Sequence, residues 1–180
     1  VYTKELYRHG WGLPLWFPQA GAHEPLIGDV GCLIEGRFET FFNSTRHPND
    51  TVHQPKGVPA EFEPLYSDPS HVSPLAGELT SYVVSSANSK RRADPNNALS
   101  KTDLDFTFAG DTGALLVLPA DVHREAIMAH GRIIRYIIKH SSSWCTFAHS
   151  LDYEFAEEDI VFVSGTTKAR TFGMAVFQDS

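Results

Sequence analysis

Between Leu118 and His140 the chain reads LPADVHREAIMAHGRIIRYIIKH, and no other long stretch carries so clear a helical period. At about 100° per residue, Val122, Ala126, Ala129, Ile133, Tyr136 and Ile137 fall on one side. Ile127, Ile134 and Ile138 widen that side into an apolar arc of roughly 200°. Arg124, Met128, Arg132, Arg135 and Lys139 fill the opposite arc, with Glu125 at its edge. Pro119 suits a first helical turn, and Asp121 suits the positive N-terminal end. Lys139 and His140 suit the negative C-terminal end, and Ser141 to Ser143 interrupts the pattern. The spacing predicts one long amphipathic helix over about 119–140, laid against a core with one solvated face. Gly131 inside it costs about 1 kcal/mol relative to Ala, so a close packing partner is expected there.

The segments around this helix read as strands. Leu26 to Asn43 is the clearest hairpin: an apolar run reaches Ile34, Glu35-Gly36 supplies a turn, and an alternating run follows. In that run Phe38, Thr40 and Phe42 share one face, with Arg37, Glu39 and Phe41 on the other. Gly28 and Gly31 bracket Asp29 and suggest a bulge or a close backbone approach. Further strands are expected at 79–85, 104–108, 114–118, 144–148, 160–164 and 172–178. The first 25 residues are rich in aromatics, Gly and Pro, which leaves room only for a short helix ending near His9 with Gly10 as its cap. Residues 44–105 are rich in proline and polar side chains, and 86–101 reads as a mobile loop. The fold class that follows is α+β, a mainly antiparallel sheet packed against the long helix, in one globular domain over 1–180.

A chain of 180 residues, 42% hydrophobic and 21% charged, can bury a full core without metal or disulfide staples. A net charge of -7 gives no global attraction to nucleic acid or to anionic membrane. No apolar run reaches the roughly 20 residues needed to span a bilayer. Cys32 and Cys145 form no zinc pattern; one disulfide or two free thiols remain open, with free thiols favoured. The start at Val1 reads as a processed product or a domain cut from a larger protein. Asn43-Ser44-Thr45 and Asn49-Asp50-Thr51 are glycosylation acceptors that would matter in a secreted protein.

The combination of GWGLPLW, LIGDVGCLIEGRFETFFN and IVFVSGTTKARTFGMAVF resembles a domain family of mushroom-forming fungi. The likeness rests on Gly12, Pro14, Leu15, Trp16, Gly28 to Gly31, Gly36, Phe38, Phe42, Asn43, Trp144, Val163, Gly165 and Lys168. It implies a eukaryotic, intracellular protein with further domains, and it carries over no activity and no catalytic residue.

No motif in the sequence is complete. His123 and His130 fall near the middle of the helix's apolar arc, two turns or about 10.5 Å apart, too far to share one ion. His123-Arg124-Glu125 lacks the downstream Pro-Cys-x-x-Cys of a zinc deaminase. Cys145 and His149 share a face if 144–148 is a strand, which admits a nucleophile pair, although nothing nearby lowers the thiol pKa. Ser164 to Lys168 lacks the loop and helix of a phosphate-binding site and reads as a hairpin turn. The acidic residues have no calcium-loop spacing. Arg124, Arg132, Arg135 and Lys139 form a basic stripe, and with Trp11 and Trp16 of the aromatic N-terminus they are the candidate interface residues.

The leading expectation is therefore a non-catalytic interaction or sensing module in the cytoplasm, meeting a protein partner or its own copies through those residues. One alternative is a hydrolase-like small-molecule enzyme with His123, His130, Cys145 and His149 lining a pocket between helix and sheet. A secreted glycan-binding protein is the other. No cofactor or metal is indicated.

Overall fold

The computed structural model describes residues 2–7, 12–21, 24–66, 75–79, 82–85, 89–91, 106–108, 110–118 and 122–178. They form helix α1 (Tyr2–Tyr7), strands β1 (Asp29–Ile34), β2 (Arg37–Asn43), β3 (Leu75–Leu79), β4 (Tyr82–Ser85), β5 (Ser89–Arg91), β6 (Phe106–Phe108), β7 (Thr112–Leu118) and β8 (Val122–Ala126), helix α2 (His130–Ser150), and strands β9 (Val161–Phe162), β10 (Gly165–Lys168) and β11 (Gly173–Gln178). The class is α+β, with several small antiparallel sheets and one long helix. The chain divides into two compact units, one of residues 1–14, 78–122 and 168–180, the other of residues 15–77 and 123–167.

In the first unit β7 is the central strand. It pairs antiparallel with β11 on one side and with β4 on the other, while β5 pairs with β6. Ala114 and Leu118 of β7 are buried, and α1 turns Tyr2 and Leu6 inward. Thr112 Oγ1 donates to Glu5 Oε1 at 3.1 Å, which ties α1 to the start of β7. Only Ser89–Arg91 of the segment read as a mobile loop is described here, as a strand, and the Gly10 cap lies outside the described residues.

The second unit is built on the β1–β2 hairpin, with β9 added antiparallel to β1. Glu35 (φ 49°) and Gly36 (φ 81°) are both left-handed, the geometry of the two-residue turn that matches strand twist. The expected bulge is present. Val30 faces Phe42 and Gly31 faces Thr40, so Phe41 is the extra residue. The alternation read from the sequence breaks at that point, and Phe41 and Phe42 are both fully buried. A Cβ on Gly31 would stand 2.0 Å from the Glu39 carbonyl oxygen, so only glycine fits.

The long helix differs from the expected 119–140. Residues Val122–Ala126 form β8, which lies between β10 and β3, and α2 starts at His130. The Ile127 amide donates to the Ser164 carbonyl at 2.9 Å, and Gly165 packs so close to Glu125 and Ala126 that no side chain fits between them. Tertiary pairing thus overrides a sequence that suits a helix. At the other end α2 runs through Ser141–Ser143 and over 144–148, where a strand was expected, because Ile133, Tyr136, His140, Trp144 and Ala148 bury one continuous stripe. Ser143 and Thr146 satisfy their hydroxyls on the His140 and Ser142 carbonyls, so these polar residues need not end the helix. Ser164–Lys168 is likewise a correction: Gly165–Lys168 is a paired strand, and not a hairpin turn.

The core of this unit joins hairpin to helix. Phe42 meets Phe62, Trp144 and Phe147 edge-on at 5.8–5.9 Å, and Trp144 also meets Tyr136 and Phe162. Burying a ring such as Trp144 is worth about 3–5 kcal/mol, more than the helix propensity that serine forfeits nearby.

Candidate functional site

The most deeply buried polar group of the second unit lies at the base of the hairpin. Asp29 is 4% exposed and Asn43 is 1% exposed. Asp29 Oδ2 accepts from the Leu26 amide at 2.8 Å and from Thr40 Oγ1 at 3.2 Å, and its Oδ1 accepts from Asn43 Nδ2 at 2.7 Å. Asn43 Nδ2 also donates to the Ile27 carbonyl at 3.0 Å, while its Oδ1 accepts from the Thr45 amide and hydroxyl. The Gln54 side chain closes a two-bond ring with the Asn43 backbone, both bonds at 2.8 Å. Burial pushes the Asp29 carboxyl above its ordinary range against the pull of those donors. A buried carboxyl with a raised pKa can mark an active site. Here its donors come from the loop before β1 and from the partner strand β2, which gives it the structural task of tying the hairpin base together.

A second polar cluster joins the hairpin to the segment after α2. Lys56 Nζ donates to Glu39 Oε1 and to the Thr40 carbonyl, and stands 3.4 Å from Tyr153 OH. Tyr153 OH donates to Glu39 Oε1 at 2.9 Å, and its ring lies 5.0 Å from Phe41. Burial works against the Lys56 ammonium, but Glu39 outweighs it and holds the pKa up. Burial and the bond to Glu39 also raise Tyr153. A catalytic lysine or tyrosine base needs the opposite shift. The cluster is a latch.

The end of α2 carries the third. Asp152 takes a left-handed φ of 64°, its amide donates to the His149 carbonyl, and the Tyr153 amide donates to the Ala148 carbonyl, both at 3.1 Å. This pair of bonds is the Schellman reversal that ends many helices. It returns the chain beside the helix, so that the Phe155 carbonyl stands 3.0 Å from His149 Nε2 and 3.5 Å from Cys145 Sγ. Cys145 Sγ and His149 Nε2 are 3.7 Å apart. The two residues meet, but as i and i+4 of a helix and not across a strand face. A carbonyl only accepts, so the bond to Phe155 places a proton on Nε2, and that nitrogen has no lone pair left to activate the thiol. An open depression beside them is lined by His149, Asp152, Tyr153, Glu154 and Phe155.

The other two candidate histidines lie away from this pair, on β8 and at the first residue of α2. His123 is on β8, bonded to Glu125 at 2.9 Å, and His130 is the first residue of α2 and exposed. They do not share a helix face as expected. The buried histidine of α2 is His140, 9% exposed, with an unpartnered Nε2 that lies 3.9 Å from Glu63. Burial, aided by Lys139, lowers its pKa against the pull of Glu63. Among the described residues no group of three or more His, Cys, Asp or Glu side chains converges as a metal site. Cys32 and Cys145 are free thiols, and burial pushes Cys32 up to about 11.

The outward face of α2 is the remaining feature. Ile134 is 55% exposed and Ile138 is 74% exposed, one turn apart, where the core-facing arc had been expected. Ile133 and Tyr136 of that arc do face the core, and only its widening to Ile134 and Ile138 fails. At about 100° per residue, Ile134 and Ile138 stand roughly 100° and 140° from the centre of the buried stripe, which turns them to solvent. Basic residues flank them. Arg132 lies over the Tyr66 ring at 4.9 Å, Lys139 bonds Glu63 at 2.5 Å, and Arg135 is exposed. Arg124 leaves the stripe, because it belongs to β8. Trp16 packs against the hairpin turn at Gly36, and Trp11 lies outside the described residues. Among the described residues no helix is long and apolar enough to cross a membrane. Comparison with protein-family models, curated proteins and solved structures finds no match to this chain.

Proposed function

We propose that this chain is a protein-interaction module whose contact surface is the outward face of α2, and that the partner is an acidic amphipathic helix. The observation that carries this reading is the pair Ile134 and Ile138, exposed one turn apart on a helix with Arg132, Arg135 and Lys139 along its flank. A helix face of this kind suits an apolar stripe rimmed by carboxylates. Charge favours such a partner, because the basic flank stands out on a chain of net charge -7. Covering each isoleucine gains about 1.5–3 kcal/mol, and association itself costs several. The expected affinity is therefore weak, on the order of micromolar to millimolar. A reducing, cytoplasmic setting accords with the two free thiols and with Asn43, whose buried, fully bonded amide leaves no room for a glycan.

Fluorescence anisotropy with a labelled, designed amphipathic peptide, Leu on one face and Glu on the rim, tests the reading. Binding is expected to weaken as salt rises, and to fall roughly tenfold in Arg135→Glu and in Ile138→Asp, with a Lys-rimmed peptide failing to bind. Absence of binding at low salt, or equal binding of both peptides, would remove the proposal.

A further inference from the structure

The three atoms that meet at the end of α2 have a second use, independent of the interaction surface. Sγ of Cys145, Nε2 of His149 and the carbonyl oxygen of Phe155 form a triangle with sides of 3.7, 3.5 and 3.0 Å. Each can be a metal ligand: a thiolate, a neutral imidazole nitrogen and a carbonyl oxygen. In a tetrahedral zinc site, with metal–sulfur near 2.3 Å and metal–nitrogen near 2.0–2.1 Å, the two ligand atoms stand about 3.5 Å apart. The Cys145–His149 separation already matches that edge. The backbone is set as well, because two residues one turn apart on a helix hold their spacing, and the reversal at Asp152 fixes where the Phe155 carbonyl falls. His149 and Phe155 also line the open depression shared with Asp152, Tyr153 and Glu154, where water can supply a fourth ligand and two carboxylates favour a cation.

We propose that Cys145, His149 and the Phe155 carbonyl bind one divalent ion of the zinc class, with water as the fourth ligand. The proton balance is defined. Binding forms a metal–sulfur bond and breaks the Cys145 S–H bond, and that proton goes to solvent. The imidazole proton, now on Nε2 in the bond to Phe155, moves to Nδ1 and frees the Nε2 lone pair without a net release. One proton therefore leaves per ion bound. The bound ion would clamp the segment after α2 to the last turns of the helix.

Titration of the reduced chain with Co²⁺, followed by Zn²⁺, reads this directly. A thiolate-to-cobalt charge-transfer band and the visible bands of tetrahedral cobalt are expected at one ion per chain, and Zn²⁺ should erase both. Cys145→Ser is expected to abolish the charge-transfer band, and His149→Gln to weaken binding roughly tenfold or more. Cys32→Ala should leave the spectrum unchanged, because Cys32 is fully buried. Far-ultraviolet circular dichroism confirms that each variant keeps its helix, so a lost band reports a lost ligand. A wild-type chain that stays colourless, or a band that survives in Cys145→Ser, would overturn the site and leave the three contacts as a hydrogen-bonded helix end only.

Discussion

Asn43 commits both hydrogens and both acceptor positions of its amide to Ile27, Asp29 and Thr45, and its backbone is ringed by Gln54. Removing such a side chain leaves Asp29 and the Ile27 carbonyl short of donors in a dry site, and each orphaned group costs about 1–3 kcal/mol. Asn43→Ala should therefore lower unfolding free energy by about 2–4 kcal/mol in urea titration, whereas Asn49→Ala, on an exposed turn, should change it by less than about 0.5 kcal/mol. Similar losses at the two sites would mean that the network is not formed. His140 gives a pH signature. Its folded pKa lies below its unfolded value near 6.5, so between the two the unfolded chain binds more protons and stability rises with pH. The urea midpoint is expected to fall on acidification below about pH 6.5, and to fall less in His140→Phe, which keeps the aromatic contact with Tyr136 at 4.7 Å. A pH slope that is the same in both proteins would exclude His140 as its source.

At the scale of elements, the hairpin was legible and the helix only half so. Glu35-Gly36 and Gly31 carry local steric demands, and a turn or a bulge follows from them whatever the rest of the chain does. The start of α2 has no such marker. Ala129 offers no side-chain cap and the first turn holds no acid, so the residues before it fit a helix as well as a strand until pairing with β10 and β3 decides. Its C-terminus was hidden by three serines, of which Ser141 bonds its hydroxyl to Glu157 and Ser143 bonds its own back to the His140 carbonyl. The core-facing side itself was legible in Ile133 and Tyr136, and only the widening of the arc to Ile134 and Ile138 failed, because apolar character alone does not say how far a buried stripe extends around a helix. Contacts between distant segments, such as Glu39, Lys56 and Tyr153 or Cys145 and Phe155, have no signature in a single sequence. The revised boundaries make two predictions for thermal unfolding. Trp144→Ala should cost about 3–5 kcal/mol, as for a buried helical ring. Gly131→Ala should stabilise by about 0.5–1 kcal/mol, because a Cβ there meets only the Arg135 side chain at 3.5 Å. A destabilised Gly131→Ala would show that a neighbour needs that space after all.

For the molecule as a whole, the two units divide the work of the sequence differently. The first is a small antiparallel sheet on β7 with α1 against it. The second holds the aromatic core and the polar clusters that a search for chemistry would pick out. In that unit Asp29 is satisfied by the Leu26 amide and by Thr40 and Asn43 of β2, and Lys56 and Tyr153 are held away from reactivity. Among its exposed apolar side chains, Ile134 and Ile138 stand one turn apart on α2 beside basic residues. Nuclear magnetic resonance mapping with the Glu-rimmed peptide asks where that partner lands. The proposed interface predicts amide shift changes centred on Gly131, Ile134, Arg135, Ile138 and Ser142. Changes centred instead on Asp152 to Phe155, or spread evenly over the chain, would contradict it.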